Sequence, residues 1–65
     1  MTQRDRLKLL RAGFVILRRD YVAMKIRVFT GNGGWKVIAN GFKSKADLDR
    51  QMEKYLYQEN FVEDC

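Results

Sequence analysis

Five residues of this 65-residue chain, Lys25, Arg27, Phe29, Lys36 and Ile38, fall at spacings that set cations beside flat or apolar groups. If residues 24–30 and 35–40 are neighbouring strands, these five share one sheet face. There, lysine and arginine can neutralise phosphates while aromatic and apolar groups meet bases or sugars. They are the candidate nucleic-acid-binding residues. The same interleaving also fits a plain cross-strand apolar patch between cations that lay their stems along it. No comparable set exists for catalysis. The chain has no histidine and one cysteine, Cys65, and its carboxylates fall mostly where helix starts and solvated faces account for them. The inventory for a nucleophile–base constellation is therefore thin. The expectation is a non-enzyme with no catalytic residues, metal site, cofactor or small-molecule substrate. Gly31-Asn32-Gly33-Gly34 lacks the Gly-Lys-Ser/Thr ending of a phosphate-binding loop and opens no helix, so it reads as a hairpin turn.

The net charge of +5 conceals a segregation along the chain. Residues 1–45 hold eleven cations against two carboxylates, whereas residues 46–65 hold two against six. Such a layout focuses positive potential over the first two-thirds of the chain and attracts phosphate backbones or an acidic partner. No apolar run approaches the ~20 residues of a membrane span, and Phe14–Leu17 stops at Arg18 and Arg19. The first residues are not followed by a signal-peptide core. A cytoplasmic protein with no membrane association is expected.

Five elements must position these residues. Thr2 and Asp5 have capping-box spacing ahead of Leu7, Leu9 and Leu10, which predicts a helix over 3–12 beside Arg4, Lys8 and Arg11. Gly13 is placed to end it in the left-handed conformation. The Phe14-Val15-Ile16-Leu17 run predicts a strand over 14–19, with either Phe14 and Ile16 or Val15 and Leu17 turned inward. Met24 to Thr30 alternates as a half-buried strand must. Asn32-Gly33 signals a two-residue turn that would set Thr30 opposite Trp35, Val28 opposite Val37 and Ile26 opposite Ala39, with Trp35 a core anchor. Ser44 and Asp47 then cap an amphipathic helix over 44–58 that turns Leu48, Met52, Tyr55 and Leu56 inward. Phe61 and Val62 return to the core edge, and 63–65 fray.

The stretch from Lys25 to Leu56, with strand, Gly-Asn-Gly-Gly turn, strand and the helix-opening Gly41-Phe42-Lys43-Ser44-Lys45-Ala46, resembles the arm-type DNA-binding domains of tyrosine integrases and the related AP2-like domains. The resemblance covers about half the chain. It implies a three-stranded sheet laid in a major groove, with Arg27, Phe29, Lys36 and Ile38 toward DNA. The chain departs from the pattern by its first helix and by the lack of a following catalytic domain. Double-stranded-RNA-binding domains share the element order, but Lys43-Ser44-Lys45 only partly echoes their second helix start. The whole chain is also similar to many short bacterial proteins of no assigned role.

The expected fold is one α+β domain spanning residues 1–65: a two-layer α-β-β-β-α arrangement with a three-stranded antiparallel meander and both helices on one face. The expected role is nucleic-acid binding by an accessory or regulatory module, DNA being favoured over RNA. The alternative is a protein-interaction module or homodimer centred on Phe29 and Ile38.

Overall fold

A computed structural model describes residues 2–31 and 34–64. Helix α1 runs over Gln3–Arg11, and its start is the anticipated capping box: the Thr2 hydroxyl accepts from the Asp5 N–H, while the Asp5 carboxylate accepts from the Thr2 N–H. Gly13 follows at φ +93°, which a residue with a Cβ adopts at a cost. Strands β1 (Val15–Asp20), β2 (Lys25–Phe29) and β3 (Trp35–Ala39) form the antiparallel meander. Helix α2 covers Lys45–Leu56, with the Ser44 hydroxyl accepting from the Asp47 N–H. The α+β class and the meander are as the sequence indicates.

Three features differ. Of the residues expected to fray, Glu63 and Asp64 are ordered, while Cys65 lies outside the described residues. Phe61–Glu63 forms a fourth strand, β4, parallel to β1, giving the order β3-β2-β1-β4, and the Asp64 N–H donates to the Leu17 carbonyl. The Phe61 and Val62 side chains cover the sheet edge while their backbone groups pair with the exposed rim of β1, satisfying polar groups that would otherwise compete for water.

The helices also lie on opposite faces rather than on one. Successive residues of β1 point to opposite sides. Leu17 packs with Leu48 and Met52 of α2, and Arg19 donates to Asp49 of the same helix. Arg18 instead shares Asp64 with Arg6 of α1. Ile16 and Leu17, adjacent in sequence, are both 0% exposed. A strand covered on both faces has no polar side to alternate, which is why Val15, Ile16 and Leu17 form an unbroken apolar run. The main core, Leu17, Ile26, Leu48 and Met52, lies between sheet and α2. Tyr55 and Phe61 stack at its edge with ring centres 6.1 Å apart.

The third difference is register. Phe29, not Thr30, faces Trp35, Val28 faces Lys36, and Arg27 faces Val37. Residues 32 and 33, on which the predicted turn falls, lie outside the described residues, but its flanks are clear: the Thr30 N–H donates to the Gly34 carbonyl at 3.0 Å. A β-bulge at Ile38 then restores the anticipated Ile26–Ala39 pair. Between bulge and turn, every β3 side chain is therefore on the face opposite to the one the alternation implied.

Candidate nucleic-acid interface

The shifted register divides the five candidate residues. Lys25, Arg27 and Phe29 alternate along β2 on the α1 side, whereas Lys36, facing Val28, is on the α2 side. Phe29 is 3% exposed, its ring 5.3 Å from that of Trp35, so it is packed inside rather than displayed on the sheet surface. Ile38 is exposed at the bulge, on the outer strand of the sheet. No face carrying all five forms. The apolar centre of the alternative reading, Phe29 with Ile38, does not form either.

What the fold assembles instead is an arginine–tryptophan cluster on the α1 side. Trp35 is half-buried rather than sealed in the core, and its indole reaches across β2 toward β1. The Arg18 guanidinium carbon lies 4.1 Å from the ring centre and that of Arg6 5.5 Å, both within cation–π range. Asp64 holds these two arginines. Arg6 donates to both of its carboxylate oxygens at 3.1 Å, and Arg18 Nη2 donates to Oδ2 at 2.7 Å. Burial pushes the Asp64 carboxyl up, but the bonds from Arg6 and Arg18 outweigh it and hold the group below its ordinary range.

Beside this cluster α1 leaves the sheet uncovered. An open concavity of about 480 Å³ is lined there by Arg18, Asp20, Val22, Arg27 and Trp35, among others. Arg27 Nη2 donates to Asp20 at 3.1 Å, and the Asp20 carboxyl is held low by the Ala23 N–H and by Arg27. Val22, in the turn between β1 and β2, is 99% exposed and supports nothing else.

On the far side of the sheet the ionic groups are tied to one another. Arg19 donates to Glu63 at 2.6 Å and to Asp49 at 2.7 Å, and Tyr21 also donates to Asp49. The bond to Glu63 raises Arg19 above the usual arginine range, and those from Tyr21 and Arg19 hold Asp49 low. The acidic end of the chain is thus engaged largely inside the molecule, on Arg6, Arg18 and Arg19.

Arg4, Lys8 and Arg11 are different. They recur at intervals of four and three along α1, are all exposed, and form no ion pair with a carboxylate of the described residues. Their spacing was legible in the sequence as the polar side of the first helix. The approach of Arg18 to Trp35 was not, since seventeen residues and a register shift separate them. Among the described residues no helix is long and apolar enough to cross a membrane, and no three Cys, Asp or Glu side chains are placed to hold a metal. Set against known protein families, curated proteins and solved structures, the chain matches none.

Proposed function

We propose that the chain is a nucleic-acid-binding module that engages phosphates through the solvent face of α1, as an accessory or regulatory protein of the cytoplasm. The observation that carries this reading is that Arg4, Lys8 and Arg11 recur along one helix without a carboxylate partner. Lys25, Lys36, Lys43, Lys45 and Lys54 also form no ion pair among the described residues but are spread over β2, β3, the loop before α2 and α2. Arg6, Arg18, Arg19 and Arg27 each have a carboxylate within 3.1 Å. Arg4, Lys8 and Arg11 have none among the described residues, although like charges one turn apart repel each other by a few tenths of a kcal/mol, roughly. An anionic polymer would supply the missing countercharge. The resemblance of residues 25–56 to arm-type domains favours DNA, while the phosphate-binding role falls to α1, outside that stretch.

The test is fluorescence anisotropy with labelled duplex DNA, single strands and duplex RNA across a salt series. Replacing Arg4, Lys8 and Arg11 with glutamine should leave the melting temperature unchanged. It should also flatten the log–log salt slope by about three, near 0.9 for each phosphate no longer neutralised. An unchanged slope would remove α1 from the interface. Absence of binding at low salt, with self-association or a protein partner found instead, would establish the protein-interaction alternative.

A further inference from the structure

We infer that the concavity beside Trp35 seats a single unstacked nucleobase, with its phosphate toward Arg18 and Arg27. This rests on the nucleic-acid reading and specifies the form bound: a strand whose bases are free to leave the stack. Three observations carry it.

The first is shape. A volume of about 480 Å³ lies within the ~300–1,000 Å³ of clefts that take small ligands, and it is open to solvent. The second is the surface offered. Aromatic rings and guanidinium planes are the side-chain surfaces on which splayed-out bases stack. Here Arg18 lies over the Trp35 ring at 4.1 Å, taking up that ring face, so the base stacks on the outward side of the Arg18–Trp35 pair. Phe29 beneath the indole and Asp64 behind the guanidinium hold both in place, so little ordering entropy remains to be lost on binding. The third is charge. Arg18 and Arg27 retain 41% and 33% of their side-chain surface exposed despite their ion pairs, leaving N–H groups for a phosphate. Asp20 also lines the cavity, and its bond to Arg27 offsets its repulsion of that phosphate.

A duplex keeps its bases stacked and reaches α1 without filling the concavity. The same chemistry could come from a free mononucleotide, so both sources enter the test.

Trp35 is the single tryptophan of the chain, and its emission reports the site directly. A ten-nucleotide single strand, the matching duplex and adenosine monophosphate are titrated into the full chain, reading Trp35 emission and anisotropy of labelled strands. The single strand should bind more tightly than the duplex and quench Trp35, and the duplex should bind without quenching. Val22→Asp puts a carboxylate at the mouth of the cavity on a side chain that packs against nothing. It should weaken single-strand binding about tenfold, within the range of one stacked base, and leave duplex binding and the melting temperature unchanged. Equal binding of single strand and duplex with Trp35 emission unmoved would overturn the base seat while leaving the α1 interface standing. Quenching by the mononucleotide without binding of either polymer would keep the seat and remove the nucleic-acid reading. Silence in all three titrations would remove both.

Discussion

Arg18 stacks its guanidinium 4.1 Å from the centre of the Trp35 ring while donating to Asp64 at 2.7 Å, so one side chain links the third strand to the end of the chain. The carboxylate is 5% exposed and is shared with Arg6 of α1. Three elements distant in sequence are thereby fastened at one point, on the face that α1 only partly covers. The candidate interface depends on that fastening, because it fixes the plane on which a base would lie.

Asp64→Asn should lower stability by about 2 kcal/mol, the usual worth of part-buried hydrogen bonds to charged groups, and by roughly 8–16 °C in melting temperature for a domain of this size. Trp35 emission should change in the folded variant, since Arg18 is released. Glu59, exposed and in no ion pair of the described residues, is the control: Glu59→Gln should stay within about 0.5 kcal/mol. Equal melts for Asp64→Asn and the parent would show that the chain end is not fastened.

Coverage of both sheet faces predicts that Ile16→Ala and Leu17→Ala are each costly, by about 2–5 kcal/mol. A sheet with both helices on one side would make one of the two nearly neutral. Paired denaturant melts decide this, and two similar losses of midpoint are expected.

Stability should hold steady from pH 8 down to about pH 5 and fall below about pH 4. The chain has no histidine to titrate in the upper interval. Asp20, Asp49 and Asp64 have folded-state values below their unfolded ones. Their contribution is therefore complete above the unfolded value near ~3.9 and is lost as pH falls through the folded values, where the unfolded chain binds more protons. Melting temperatures across pH 2–8 would show it; a decline between pH 7 and pH 5 would contradict it.

The sequence by itself determined five of the six elements, all but β4. Thr2 with Asp5, Ser44 with Asp47, and Gly13 mark helix boundaries through bonds that reach no further than three residues, and the alternation of Met24–Thr30 marks a strand for the same local reason. The α1 stripe of Arg4, Lys8 and Arg11 was legible too, since helical spacing places it. Side assignment was not. Phe14–Leu17 is apolar at every position, so its pattern could not say which residues turn toward which helix, and the answer is that both sides are covered. A pairing register one residue from the expected one, closed again by a bulge at Ile38, put Trp35 and Lys36 on opposite faces from those the alternation implied, because a period of two turns any single-residue slip into a change of face. Asp64 looked like a fraying end until the return of β4 beside β1 placed it between two arginines. Local periodicity fixes what each segment can become; which groups then meet depends on the path of the whole chain, and only the tertiary structure decides it.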